Sequence, residues 1–364
     1  MDFAFSEEQQ MLRDAVASWA RDRLPEGKVV ELATGDEGWD PSSLPEMAEL
    51  GWTGLALAES AGGSAMGFLD EAVVIEELGR ALYPGPYWSS VALAAPALRG
   101  RDDYLGRIAA GEAATLAWAE PGGPYLFADL EPVGAKAVGD GGGWTLTGEK
   151  DLVPDLDACA FVVVAARSAD GLGLWAVETR DATVSVLPTM DATRRLARLS
   201  LDVTSAELLV EPGAAAEVLE RVRLRALAAL AVEAVGLGSA VVDMARSYVG
   251  ERRQFDKAIG AYQAVAHQVA DAYMAVELAR SLAYWAAWCV DEEDAQAPAA
   301  VAAAKSAAGE AAVFACERAI QVHGGIGFTW EHVLHRYYKR AQWIDSFDGP
   351  GSRHRELVAA HLLD

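Results

Sequence analysis

From Phe5 onward apolar residues recur at helical spacing, and Ser6-x-x-Gln9 in front of them has the form of a capping box. Leu12, Val16 and Trp19 then share one face. Ser43-x-x-Glu46 opens a further helix that stops at Gly51, and Val74, Leu78, Ala81 and Leu82 mark the buried stripe of a third before Pro84 and Pro86. Between these two, Glu59-Ser60-Ala61-Gly62-Gly63 reads as a loop. Residues 1–112 are therefore predicted to form an all-helical domain.

The period then changes. Residues 113–119, 143–147, 161–166, 172–178, 184–187 and 206–210 are short runs rich in β-branched or aromatic side chains, separated by Gly, Pro and Asp. They predict a small β-domain, barrel or sandwich, over 113–212. Helical patterning returns and covers 221–250, 262–291, 298–321 and 353–362, with Val265, Val269, Ala272 and Val276 on one face of the second. Residues 213–364 are predicted to be a helical bundle, which makes the chain a multidomain α+β protein.

Composition changes this picture little: 364 residues, 52% hydrophobic and 23% charged, suffice for two or three domains with sizeable cores. Charge excludes more. A net −24, from 54 acidic against 30 basic residues, repels phosphate backbones and anionic lipid surfaces, so neither nucleic acid nor a membrane surface is an expected partner. Met1-Asp2-Phe3-Ala4-Phe5 lacks a basic-then-apolar leader, and the alanine-rich runs near Ala226 and Ala299 are broken by Arg, Lys or Glu, so no membrane span is expected. The expectation is a cytoplasmic enzyme. Cys159, Cys289 and Cys316 are odd in number and widely separated, as small core residues in a reducing compartment would be.

Four stretches carry candidate chemistry. In Gln321-Val322-His323-Gly324-Gly325-Ile326-Gly327, three glycines in four positions either let backbone approach a large ligand or merely end a helix. Asp348, in Phe347-Asp348-Gly349-Pro350, stands on a turned loop beside an aromatic residue, a setting for a base or only for a helix stop. Tyr248 to Lys257, followed by Ile259-Gly260 and Gln263, gathers Arg252, Phe255 and an amide, able to pair a pyrophosphate, cover a ring and bond an adenine or ribose edge; alone it also reads as a basic surface turn. Gly236-Leu237-Gly238 carries part of a dinucleotide fingerprint but lies inside a helical pattern with no strand before it, so helix packing is its expected role. His332-x-x-His335 has helical spacing without a further ligand cluster, and no metal is expected.

Together these residues resemble the acyl-CoA dehydrogenase family, in which helical, β and helical domains follow in this order. The resemblance covers nearly the whole chain. It implies that Arg252, Phe255, Gln263, Gln321, Gly324 and Gly325 clamp the ADP half of FAD bound to a neighbouring subunit, hence an oligomer, homomeric or heteromeric. Asp348 takes the place of that family's catalytic glutamate, one methylene shorter. The Gly-Phe-Thr-Trp-Glu-His run at 327–332, continuing to His335, Tyr338 and Arg340, is similar to bacterial members acting on bulky, often steroid-derived CoA thioesters.

The flavin-ring loop departs from the family: Glu120-Pro121-Gly122-Gly123-Pro124 lacks the usual hydroxyl donors, leaving the amides of Gly122 and Gly123 as candidates, and the second segment reads Gly148 to Pro154. The residue near Ala226, the family's alternative glutamate position, is not acidic either. The implied reaction is α,β-dehydrogenation of an acyl-CoA, with electrons passing to an electron-transfer flavoprotein. Two other readings are a non-catalytic subunit completing the FAD sites of a related chain, and a flavin oxidase similar to nitroalkane oxidases, whose base is an aspartate.

Overall fold

The computed structural model describes residues 5–123, 125–127, 133–139 and 143–363, without the side chain of Glu26. Residues 1–4, read above for a leader, and Pro124 of the Gly-rich loop lie outside the described residues. The helices are α1 (Glu7–Arg23), α2 (Glu26–Thr34), α3 (Ser43–Glu49), α4 (Phe68–Arg80), α5 (Ala95–Ala97), α6 (Asp102–Ala109), α7 (Ala215–Glu251), α8 (Gln263–Asp291), α9 (Ala297–His323), α10 (Leu334–Ser346) and α11 (Gly351–Leu363). The strands are β1 (Ala114–Ala117), β2 (Lys136–Gly139), β3 (Trp144–Pro154), β4 (Phe161–Ser168), β5 (Gly171–Glu178), β6 (Thr183–Leu187), β7 (Leu196–Val210) and the short pair β8 (Arg253–Gln254) and β9 (Lys257–Ala258). Helical, β and helical segments thus follow in the predicted order. By contacts the chain gathers into two compact units: 1–34, 68–83 and 227–364 in the first, 35–67 and 84–226 in the second.

In the second unit the strands close on themselves, because β5 bonds both β7 and β4 while β2 links β4 to β3. Closure leaves few free edges, which removes a template for unwanted pairing. Trp175, Leu146, Val162, Val164 and Leu199 fill the interior. The segment 89–94 forms a π-helical turn, and its buried Ser90 accepts the Ala114 N–H at 3.0 Å and donates to the Pro86 carbonyl at 2.7 Å, tying that turn to β1. Strands β3 and β7 are longer than the sequence pattern suggested, and β2 was not foreseen: its burial pattern is mostly exposed, so no hydrophobic alternation announced it.

The first unit is helical. At its start the Ser6–Gln9 capping box is formed in both directions at 3.1 Å. The cap expected at Ser43, which lies in the second unit, is not: Ser43 is inside α3, where its hydroxyl donates to the Asp40 carbonyl, and the preceding Ser42 is held by the Asp40 carboxylate. An Asp two residues ahead of Ser42 captured that end of the chain, a local competition the Ser-x-x-Glu pattern does not register. The helix of the 74–82 stripe ends at Arg80, and Leu82 reaches the core from a left-handed backbone (φ 52°) instead.

Helices α7 and 297–328, contrary to expectation, are long and apolar enough to cross a membrane, but 83% and 72% of the relevant windows are buried inside the fold, which makes these the core helices of the bundle. Helix α9 packs against α8, α10 and α11, with Ala300, Ala304, Ala308, Ala311, Ala315 and Ala319 buried along it. Small residues let helix axes approach closely. Glycines go further: a Cβ on Gly79 would stand 2.5 Å from the Glu233 carbonyl oxygen, and one on Gly236 would overlap the carbonyl of Glu76, so α4 and α7 touch backbone to backbone. Gly236 and Gly238 are packing residues inside a helix, as expected, and not a nucleotide turn. Buried charge crosses the same contacts, with Arg13 and Arg280 converging on Glu76, Tyr284 donating to Glu76 at 2.6 Å and Arg340 to Glu233 at 2.5 Å.

Gly236→Ala is therefore expected to force α4 and α7 apart and to cost about 1–3 kcal/mol or more, the range of overpacked cores, read as a lowered urea midpoint. Gly122→Ala serves as a partial control: nothing lies within 4 Å of its Cβ position, so it meets only the strain of φ 74°.

Candidate functional site

The first unit holds most of the predicted residues. After α7 the chain makes the β8–β9 hairpin, whose turn carries Phe255 (φ 50°) and Asp256 (φ 67°) in left-handed backbone, as in a type I′ turn that normally takes Asn-Gly. A bulky aromatic there is strained. The strain presents Phe255 to solvent, 88% exposed. Arg252 is exposed beside it, on a backbone fixed from both sides by Arg252 N–H to Tyr248 O (2.9 Å) and Ile259 N–H to Arg252 O (2.8 Å). Gln263 is exposed at the first position of α8.

At the end of α9, Gln321 is exposed and the chain turns at Gly324, whose φ 65° and ψ −139° lie in a region open essentially to glycine alone. Nothing stands within 4 Å of a Cβ built on Gly324 or Gly325, whereas one on Gly327 would meet the Ile320 carbonyl at 2.8 Å. Internal packing thus accounts for Gly327 and backbone conformation for Gly324; neither accounts for Gly325. The two predicted half-clamps are brought together by Tyr248, which stacks on His323 with ring centroids 4.3 Å apart. His323 donates Nδ1–H to the Ala319 carbonyl at 2.7 Å and edges onto His332 at 4.9 Å, and burial pushes its pKa below the usual value, so the ring is neutral at pH 7. Sequence reading assigned His323 no role. His332 and His335 are engaged with the Leu334 N–H and the Trp330 ring, and no group of three metal-ligating side chains occurs among the described residues.

Asp348 follows α10 on a turn closed by Gly349 N–H to Ser346 O at 3.1 Å. It is 1% exposed, has φ 56°, and follows the buried Phe347. Beneath it lies Lys305 of α9, fully buried, with Nζ donating to the Asp345 carbonyl at 3.0 Å. Burial pushes the Lys305 pKa down to about 8, against the opposing pull of Asp345 and Asp348. A lysine within the alanine run of α9 was the signal available for it in the sequence.

Gly122 and Gly123 lie in the second unit. Gly123 N–H is committed to the Glu120 carbonyl at 3.0 Å, closing a turn in which Gly122 has φ 74°. Glu120 anchors the loop: its carboxylate accepts Gly134 N–H at 2.8 Å, Ala135 N–H at 2.9 Å and the fully buried Lys150 ammonium at 2.7 Å. Beside this loop Trp118 stacks on Phe127 at 4.0 Å and on Tyr125 at 5.1 Å, while Tyr125 donates to the Leu152 carbonyl. Neither the Lys150–Glu120 pair nor this stack was anticipated.

Residues 6–112 match the N-terminal domain of acyl-CoA dehydrogenases and residues 226–363 the C-terminal domain. Acyl-CoA dehydrogenase IpdE2 of Mycobacterium tuberculosis is 35% identical over 336 residues, 92% of this chain and 91% of the relative. Among solved structures, a Tcur3481-Tcur3483 steroid ACAD variant is 30% identical with a TM-score of 0.86 over 98% of this chain and 99% of that one. The ChsE4-ChsE5 complex from Mycobacterium tuberculosis is 26% identical with a TM-score of 0.88 over 100% and 99%.

If the hairpin and the Gly loop hold a dinucleotide's diphosphate half, Arg252→Ala lowers FAD retention about 10–100-fold, the worth of one charge-assisted bond. Phe255→Gly, which suits φ 50°, leaves or raises thermal stability while also weakening FAD. Unchanged flavin content after dialysis of both variants is the contrary result.

Proposed function

The chain belongs to the acyl-CoA dehydrogenase family, flavoproteins that use FAD to oxidise a CH–CH bond of an acyl-CoA, and from that premise we propose α,β-dehydrogenation of a bulky acyl-CoA thioester within an oligomer. The observation that carries the reading is the strained, solvent-exposed Phe255 beside Arg252. Such a device costs free energy in an isolated chain and is offset when a ligand or subunit covers it. Arg252, Phe255, Gln263, Gln321, Gly324 and Gly325 fit the ADP half of FAD: one planar cation, one free aromatic face, two amides and open backbone. FAD, when bound, supplies the acceptor for the β-hydride.

Asp348 is the proposed base for the α-proton. Its carboxylate is buried in the isolated chain. One missing methylene relative to glutamate withdraws the oxygen by roughly 1.5 Å, a C–C bond length, which costs on the order of 10²-fold in rate unless turn or substrate makes up the gap. Polarisation of the thioester carbonyl by hydrogen bonds is also required, because an α-C–H is otherwise too weak an acid for a carboxylate. The structural neighbour described as a steroid ACAD supports a bulky acyl group. An electron-transfer flavoprotein is the proposed acceptor and the cytoplasm the proposed location.

A second reading is favoured by the loop of the second unit, where Gly123 N–H is already bonded and Tyr125 and Phe127 each stack on Trp118. These residues do not fit a flavin ring as the family's hydroxyl-bearing loop does. On this reading the chain lends its clamp to the FAD of a related partner chain, and two solved neighbours are themselves pairs of different chains.

Asp348→Asn in the assembled protein is expected to abolish flavin bleaching by a bulky acyl-CoA in stopped flow while FAD and thioester binding persist; bleaching at the wild-type rate rejects Asp348 as base. The readings part on a second measurement. The chain expressed alone is expected to hold little flavin and to yield a yellow complex when co-expressed with a family member carrying a complete ring loop. A stoichiometric FAD homotetramer from this chain alone rules out the partner-subunit reading.

A further inference from the structure

Two consecutive residues of α9 grip the Asp348 turn from opposite sides. Lys305 Nζ donates to the Asp345 carbonyl at 3.0 Å, before the turn, and Ser306 Oγ donates to the Gly351 carbonyl at 3.2 Å, after it. One helical turn further along, Gly309 leaves room for Asp345: a Cβ there would stand 2.6 Å from Asp345 Oδ1 and 3.1 Å from its Cα. Gly351 does the same from the other side, its Cβ position lying 2.6 Å from Glu310 Oε1. Arg355 of α11 donates to Ser306 Oγ at 3.1 Å and pairs with Glu310. The turn 345–351 is thus seated on one face of α9, with the fully buried ammonium of Lys305 at the seat.

That charge is expensive. A fully buried ammonium loses its hydration, and an apolar side chain of similar length would fill the same space without that loss. Asp345 of α10 and Asp348 on the turn are the groups acting on the ammonium, while Glu310 and Arg355 act on Asp345. A buried cation retained at a cost, bonded to the backbone three residues before a candidate base, is where function and not packing is the economical account.

We propose that Lys305 is a positioning residue for Asp348: its ammonium, by holding the Asp345 carbonyl and countering the Asp348 charge, fixes where the carboxylate stands when an acyl-CoA arrives. This rests on reading Asp348 as the base. Lys305 touches neither substrate nor flavin in this account; it acts through the turn.

The charge is lost within a testable range, because the Lys305 pKa is pushed down to about 8. The signs oppose each other usefully. A lysine whose folded pKa lies below its unfolded value burdens the fold while charged, so this group's contribution to stability improves as pH rises from about 8 toward the ordinary lysine pKa. Turn anchoring does the reverse, failing as the ammonium deprotonates. A merely structural lysine has no reason to lower the rate where it relieves the fold.

The test is stopped-flow flavin bleaching by a bulky acyl-CoA across pH 7–10, in whichever assembled oligomer holds FAD, for wild type, Lys305→Met and Asp348→Asn, with flavin absorbance and thioester binding recorded for each. Wild type is expected to lose rate above pH ~8 without losing flavin. Lys305→Met is expected to bleach about 100-fold more slowly at pH 7, to show no alkaline limb, and to bind FAD and thioester as wild type does. A wild-type rate in Lys305→Met, or an alkaline limb that survives in it, overturns the inference while leaving Asp348 as base. An Asp348→Asn variant that bleaches normally removes the base reading and this inference with it. Should Lys305→Met fail to assemble, the wild-type profile decides alone, and a rate flat from pH 7 to 10 is the contrary result.

Discussion

Close approach of helix backbones in the first unit is the constraint on which its other features depend. Gly79 and Gly236 bring α4 against α7, Gly309 brings α10 onto α9, and Gly351 starts α11 against Glu310. At such separations only glycine fits, and close packing leaves the helices little room to shift past one another. Buried polar groups then have partners at hand: Glu76 for Arg13, Arg280 and Tyr284, and the Asp345 carbonyl for Lys305. Were the helices held apart by ordinary side chains, Lys305 would be a buried ammonium without an acceptor.

Rigid seating and local strain divide the labour. The Asp348 turn is held from both sides, yet its own backbone is left-handed and its carboxylate buried, so the position is defined and access to it is not. The β8–β9 hairpin is the opposite case, strained and exposed, with Phe255 and Arg252 extended from a backbone pinned by Tyr248 and Ile259. A surface aromatic in an unfavourable conformation costs an isolated chain free energy, which is offset where a ligand or another surface covers it. The Tyr248–His323 stack makes hairpin and Gly loop one object, so a change in either is felt by the other. In the second unit the Lys150–Glu120 pair fixes the start of the Gly-rich loop, and the aromatic stack beside it fills space with the chain's own rings.

The sequence determined much of this alone. Period-3.6 and period-2 patterns gave the order helical, β, helical because burial on one face imposes the same spacing wherever an element lies. Motif spacing, through its likeness to a family, assembled Arg252, Phe255, Gln263, Gln321, Gly324 and Gly325 into one candidate site and singled out Asp348, since a turn residue and a helix end keep their spacing along the chain whatever surrounds them.

What the sequence did not carry is pairing across long separations. Nothing local couples Tyr248 to His323, Lys150 to Glu120 or Lys305 to the turn forty residues away, and a lysine in an alanine run reads as a solvated charge until the fold closes over it. The Ser43 cap misled for a related reason, since Asp40 offered its neighbours a better acceptor. Whether α7 and α9 were core helices was likewise undecided by composition, because an apolar helix is the same string in a bundle or a bilayer; burial among neighbouring helices decided it. Elements and motif spacing are properties of neighbouring residues and were fixed by the chain; partnership of distant charges and rings is a property of packing, and only the tertiary structure could assign it.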